Sequence, residues 1–284
     1  MWYSAGLTPI FFIACRTLQR RLMRARTVMS AVTKMADNGA KPTTVNADEM
    51  AHFGSIAADW WDPAGKFAPL HKLNPIRLGF IKRHICQHFG RDAQAFDALK
   101  GLSVVDIGCG GGLITEPLTR LGADAIGLDA EEETVKVAAA HAAESDLSID
   151  YHCMTAEELA ASGRQFDVVI ALEVVEHVDG RAMFFDALAD LTKPGGMIFM
   201  STLNRTPKGY ALGIVAAEYI LRWLPRGTHD WRKFMRPSEV VGALRQRGFS
   251  LQELTGLVFD PLRRRFSENP RDVEVNYILT AIKD

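Results

Sequence analysis

Four glycines within five positions, at 108, 110, 111 and 112, constrain this chain more than any other feature. They follow Leu102-Ser-Val-Val-Asp-Ile107, a short apolar run rich in β-branched residues. Such a run reads as a parallel strand covered on both faces. Leu113 to Leu121 then resumes with helical spacing. Glycine lets the backbone turn tightly and approach a neighbour closely, but it weakens a helix start that has no such need. A strand, a glycine turn and a helix therefore point to a ligand-binding turn in an α/β sheet.

The pattern excludes two kinds of turn. The dinucleotide fingerprint is G-x-G-x-x-G. Counted from Gly108 its third glycine falls on Leu113, and counted from Gly110 it falls on Thr115. The P-loop also fails, because no Gly-Lys-Ser/Thr follows. What remains is Asp106, two positions ahead of Gly-Cys-Gly-Gly-Gly. This resembles motif I of the class I S-adenosylmethionine (SAM) methyltransferases. That cofactor carries an ammonium group and no pyrophosphate, and a carboxylate at the strand end can meet the ammonium. Asp106, Gly108 and Gly110 are accordingly expected at the cofactor.

The chain has 284 residues, a size for one large domain or two small ones. A net charge of -1 offers no broad basic face for nucleic acid. Cys15, Cys86, Cys109 and Cys153 are scattered with no C-x-x-C pair, which argues for a reducing compartment and against a structural zinc site. Residues 1–40 differ from the rest. Arg16, Arg20, Arg21, Arg24, Arg26 and Lys34 face one acid, Asp37, after an apolar run too short to span a bilayer. That segment reads either as a mitochondrial transit peptide or as a start placed too early, since Met23, Met29 and Met35 follow. Either way it is expected to be disordered and lies outside the fold.

One domain is expected over 48–284. Met50, Phe53, Ile56, Ala57 and Trp60 predict a helix from Asp48 to Trp61. Pro69 to Pro75 reads as an irregular connection, and Ile76 to Phe89 as a second helix with Arg77 in its first turn. A cation there opposes the helix dipole, so a partner is expected. No strand precedes these helices, so 48–90 forms a helical cap. Strands are expected over Leu102 to Ile107, Asp124 to Leu128, Ile149 to Cys153, Phe166 to Leu172, Met197 to Ser201, Phe249 to Leu254 and Val275 to Ile282. Helices are expected over Thr134 to Ala143 and Arg181 to Leu191, with a turn at Lys193-Pro-Gly-Gly196 and a helix from Pro237 to Gln246. Thr155-Ala-Glu-Glu158 has the form of a capping box. Thr255 to Arg271 reads as a loop, which makes the last two strands antiparallel neighbours. The expected architecture is a Rossmann-like α/β domain: a seven-stranded, mostly parallel sheet with its last strand antiparallel.

Asp129 ends the second strand, 21 positions past Gly108. An acid at about that distance grips ribose hydroxyls in α/β nucleotide sites, although it could also cap the following helix. The fourth strand runs into Glu173-Val-Val-Glu-His177. Ligands bind at the carboxyl ends of such strands, so Asp106, Asp129 and Glu173 should face one crevice. Glu173, Glu176 and His177 admit three readings. They could hold Mg²⁺ or Zn²⁺, His177 could act as the base that deprotonates a phenol, or they could make structural polar contacts.

A second unusual stretch is the insert at 204–236. Tyr210 to Leu224 is mostly apolar and ends near Trp223, with Arg205, Lys208, Arg222, Arg226, Arg232, Lys233 and Arg236 around it. Only Glu218 and Asp230 oppose these cations within the insert. An apolar face with basic flanks suits a helix lying on an anionic membrane surface. A lid packed on the protein is the other reading.

Taken together, the chain from about 48 to its end resembles the ubiquinone-biosynthesis O-methyltransferase family. The matching stretches are Ala58-Asp-Trp-Trp-Asp62, Pro69-Leu-His-Lys-Leu-Asn-Pro-Ile-Arg77, Asp106-Ile-Gly-Cys-Gly-Gly-Gly112, Lys193-Pro-Gly-Gly196, Ser201-Thr-Leu-Asn-Arg205, Ala217-Glu-Tyr-Ile-Leu-Arg222, Gly227-Thr-His-Asp230 and Val275-Asn-Tyr277. The resemblance implies methyl transfer from SAM to a polyprenyl-benzenediol and to 3-demethylubiquinol, leaving S-adenosylhomocysteine (SAH). It implies Arg77, Gly108, Asp129 and Leu172 as SAM contacts. It implies Glu173, Glu176 and His177 as Mg²⁺ ligands, with Glu176 and His177 at the reaction. It also implies a peripheral membrane protein, on the inner membrane of a bacterium or the matrix side of the mitochondrial inner membrane, within a biosynthetic complex. One departure is Met154-Thr155, where relatives often carry an acid for the adenine amino group. A methyltransferase of another small phenol or acid, and a SAM-binding assembly factor without turnover, are the competing functions.

Overall fold

The computed structural model describes residues 59–212 and 230–284. All of them lie in one compact unit, Thr43–Asp284. The extension at 1–40, most of the helix expected over Asp48 to Trp61, and the insert from 213 to 229 lie outside the described residues.

Helix α1, Ala68–His88, leads into β1, Ser103–Ile107, and α2, Thr115–Arg120. Then come β2, Asp124–Asp129, α3, Glu132–Glu144, β3, Asp150–Cys153, and α4, Ala156–Ala160. Next are β4, Phe166–Leu172, α5, Arg181–Leu191, β5, Thr192–Leu203, and a single turn, α6, Pro207–Gly209. The chain ends with α7, Pro237–Arg245, β6, Phe249–Asp260, β7, Arg265–Asn269, and β8, Asn276–Lys283.

The described strands form one sheet in the order β3-β2-β1-β4-β5-β8-β6-β7. Strands β1 to β5 pair in parallel. Strand β8 is antiparallel to both β5 and β6, as expected of the last two main strands. The chain reverses its direction of winding between β1 and β4, and that switch point opens the crevice at the strands' carboxyl ends. Alternate residues bury against opposite faces, as a pleated strand requires. Val169, Ala171, Ile198 and Met200 join α5 and α7 in one core. Val168, Ile170, Met197 and Phe199 join Phe80 and Ile81 of α1 in the other. Each fully buried side chain of this size contributes on the order of 1.5–3 kcal/mol.

Three expectations are corrected. Pro69 to Pro75 is not irregular, because α1 runs through it with Pro75 in its interior. Proline removes one helical hydrogen bond, but Leu73, Arg77, Phe80 and Ile81 are all buried and hold both halves in register. Arg77 is therefore mid-helix, not in a first turn. Lys193-Pro-Gly-Gly196 is not a turn outside the sheet. It is an irregularity within β5, where the register passes from Phe166↔Thr192 to Val168↔Met197. Thr255 to Arg271 is not a loop: β6 continues to Asp260 and pairs with β7, giving eight strands rather than seven.

Candidate active site

The glycine turn leaves β1 and is held by β2. The Gly110 N–H donates to Asp129 Oδ2 at 3.0 Å, and the Glu131 N–H donates to Asp129 Oδ1 at 3.0 Å. Gly110 sits at φ +53, where a side chain is strained. Asp129 does not cap α3; Glu131 does, accepting from the Thr134 N–H at 2.6 Å. Burial pushes the Asp129 carboxyl up, and its backbone donors pull it back. A carboxylate offers about four lone-pair sites, so the two backbone bonds leave capacity for ribose hydroxyls.

Asp106, near the end of β1, is buried and accepts from Thr115 Oγ1 at 2.7 Å. Burial raises its pKa to about 7, against the Thr115 hydrogen bond and with help from the Asp129 charge. The faces of the turn are packed by the protein's own side chains. A Cβ on Gly108 would lie 2.5 Å from Val174, just past β4, and one on Gly111 would lie 2.6 Å from Trp60. Met154 follows β3 and donates its N–H to Asp129 O at 3.0 Å, while Thr155 and Glu158 form the expected capping box.

Beyond β4 lies a second cluster. Arg77, 3% exposed, forms an ion pair with Glu173. Ser201 Oγ and Asn276 Nδ2 also donate to Glu173 Oε1, at 3.1 and 3.0 Å. Glu173 sits at φ +55, a strained conformation for a side-chain-bearing residue, and its N–H donates to Ser201 O at 2.9 Å. Glu176, 2% exposed, accepts from Thr202 Oγ1 at 2.8 Å. Burial, then the neighbouring Glu173, pushes its carboxyl well above the usual range. The Arg77 guanidinium is lowered by burial, with Glu173 and Glu176 opposing. Leu172 ends β4 opposite Ser201, and His177 follows half-buried, its backbone N–H on Val174 O at 2.9 Å.

The structure thus joins Asp106, Gly110 and Asp129 around the turn, and Arg77, Glu173 and Glu176 beside it. The donor types of Glu173, Glu176 and His177 suit a divalent cation, and in this structure Glu173 Oε1 is shared by Arg77, Ser201 and Asn276. Among the described residues no group of three or more His, Cys, Asp or Glu side chains is placed to hold a metal ion. Ser201, Thr202 and Asn276 fell within family-like stretches, yet no spacing marked their roles. Trp60, Trp61, Glu116 and His141 carried no signal of a shared site.

The basic insert is also less free than its sequence suggests. Arg205 pairs with Glu239, Lys208 with Asp272 and Glu274, and Lys233 with Asp179. Its two described ends are tied together, Trp231 Nε1 donating to Thr206 O at 3.2 Å.

A parallel sheet with one inserted antiparallel strand, and an acid-glycine turn braced by a second acid, define a class I SAM-dependent methyltransferase. A methyltransferase domain family matches residues 105–200. The ubiquinone biosynthesis O-methyltransferase of Dinoroseobacter shibae is 51% identical over 84% of this chain and 97% of its own. That of Azorhizobium caulinodans is 51% identical over 84% and 94%. The chain belongs to the ubiquinone biosynthesis O-methyltransferase family. Among solved structures, magnesium protoporphyrin IX methyltransferase from Synechocystis PCC 6803 with bound SAH shares the fold at TM-score 0.57 and 21% identity, covering 84% of this chain and 97% of that one.

Proposed function

We infer that this chain is a SAM-dependent O-methyltransferase acting on a quinol or phenol precursor of ubiquinone. We further propose 3-demethylubiquinol and a polyprenyl-hydroxyphenol as its particular substrates. The observation that carries the reading is the Asp106–glycine turn–Asp129 bracket within a chain of this family.

Bound SAM supplies an electrophilic methyl group on a sulfonium. Asp106 would face its ammonium, Asp129 its ribose hydroxyls, and Leu172 with the backbone at Met154-Thr155 its adenosyl portion. The phenolate oxygen forms a bond to the methyl carbon as the carbon–sulfur bond breaks, and the thioether SAH leaves. His177, just after β4, would take the phenol proton. No step is assigned to Mg²⁺.

Asp106 gives the reading a pH signature. Its ionised form attracts the ammonium, yet in the free protein half of it is protonated at about pH 7. SAM binding must then expel a proton below that pH. Affinity is expected to rise with pH to a maximum between about 7 and 8, falling about tenfold per unit well below it and declining again above about 8 as the SAM ammonium deprotonates. Asp106→Asn keeps an acceptor for Thr115 and should flatten the profile. Titration calorimetry from pH 5.5 to 8.5 decides; an unchanged slope in the variant counts against Asp106.

A membrane contact through 204–236 is part of the proposal. Tyr210 and Leu212, each about half exposed, and Trp231 lie at the described ends of the insert, which supports it. The paired Arg205, Lys208 and Lys233 shift the weight from charge to apolar contact. No described helix is long and apolar enough to cross a membrane. Inner-membrane surface, bacterial or mitochondrial matrix side, and a biosynthetic complex complete the proposal.

Turnover on a short-chain 3-demethylubiquinol analogue and on an unprenylated phenol, each with and without EDTA, tests the substrate. We expect kcat/KM to favour the prenylated compound by about a hundredfold, as burial of its chain permits. Equal rates would point to a methyltransferase of small phenols. Activity lost in EDTA and restored by Mg²⁺ would return the metal to Glu173, Glu176 and His177.

A further inference from the structure

We propose that Trp60 and Trp61 form a clamp that holds the glycine turn closed, and so set the affinity for SAM and SAH. The proposal rests on the turn being the SAM site. Both tryptophans lie at least 45 residues from the turn in sequence, yet both touch it. Trp61 Nε1 donates to Gly111 O at 2.8 Å. Trp60 lies flat on the turn, and the ring and Cβ fill the space where side chains on Gly110 and Gly111 would stand. These glycines are therefore needed to admit an indole as well as to shape the turn.

The clamp is fixed from several sides. Trp60 stacks on the buried Phe67 with ring centroids 3.9 Å apart, and its carbonyl is in hydrogen-bond contact with His71 Nε2 at 2.9 Å. Trp61 stacks on His141 of α3 at 3.4 Å. His141 Nδ1 contacts buried Glu116 Oε1 at 2.7 Å, and Glu116 opens α2 directly after the turn. The segment before α1 is thus joined to the turn, to α2 and to α3. Aromatic stacks of this geometry add to area burial, and the Trp61 hydrogen bond fixes one carbonyl of the turn. A turn left loose would lose order that the cofactor must then restore on binding. The two tryptophans are positioning residues, and the reacting atoms are not their contacts.

The test uses the full chain and SAH as probe. Trp60→Ala and Trp61→Ala should each weaken SAH binding about tenfold and raise KM for SAM alike, with KM for the quinol analogue unchanged. Trp60→Phe, which keeps a stacking ring, should recover most of that loss, and Trp61→Phe, which keeps the ring but loses the Gly111 hydrogen bond, only part of it. SAH should also quench tryptophan emission in the wild type, and less in Trp60→Phe; Trp231→Phe should keep the full quench. Asp129→Ala is the control for the site itself. If Asp129→Ala abolishes binding while both alanine variants bind like wild type, the clamp is overturned and the site stands. An undiminished quench in Trp60→Phe also overturns it. Normal SAH binding by Asp129→Ala would overturn the SAM site on which the clamp depends.

Discussion

Arg77→Met is expected to destabilise the protein by about 3–5 kcal/mol, the usual cost of leaving a buried charge without its partner. Arg77 is 3% exposed, and its ion pair with Glu173 crosses from α1 to the end of β4. Glu176 lies beside it, also buried. Without the guanidinium, two neighbouring carboxyls share a site with no counter-cation. They would then favour the protonated form more strongly, so the variant should lose stability as pH rises. Adding Glu173→Gln should recover part of the loss, because it removes the charge left behind. Urea denaturation of the single and double variants measures this. A single variant within 1 kcal/mol of wild type, or a double variant additive in its losses, would show that the pair is not what holds α1 to the end of β4.

Asp129→Ala should weaken SAH binding by about a hundredfold and also cost stability. Its carboxylate accepts the Gly110 and Glu131 N–H groups, both at 3.0 Å, and these bonds hold the turn against β2. Hydrogen bonds to a charged group contribute about 1.5–3 kcal/mol each, and the lost ribose contacts add to that. Asp129→Asn keeps one acceptor oxygen and should fall between. Calorimetric titration with SAH gives the order; equal affinities for wild type and the alanine variant would detach Asp129 from the cofactor.

Much of this was legible in the sequence where local pattern and tertiary role agree. Strand β4 and helix α5 begin and end where the apolar run and helical spacing place them. The capping box at Thr155 formed because its partners are three residues apart. Pattern failed where distant contacts overrule it. Pro75 reads as a helix start, but burial on both sides carries α1 through it. Thr255 to Arg271 reads as a loop, but it holds the end of β6 and all of β7. Arg205, Lys208 and Lys233 looked like a free basic rim because their acids, Glu239, Asp272, Glu274 and Asp179, come from outside the insert. The same blindness hid the ring of donors on Glu173, since Asn276 lies 103 residues away. It also hid the tryptophans on the turn, whose contacts leave no periodic trace.

The central claim is that the methyl group of SAM ends on a quinol oxygen. The direct measurement is mass spectrometry of products from SAM deuterated in its methyl group and a short-chain 3-demethylubiquinol. One labelled methoxy group per molecule of SAH formed is the result expected. Label on a ring carbon, or SAH bound with no label transferred, would contradict the account.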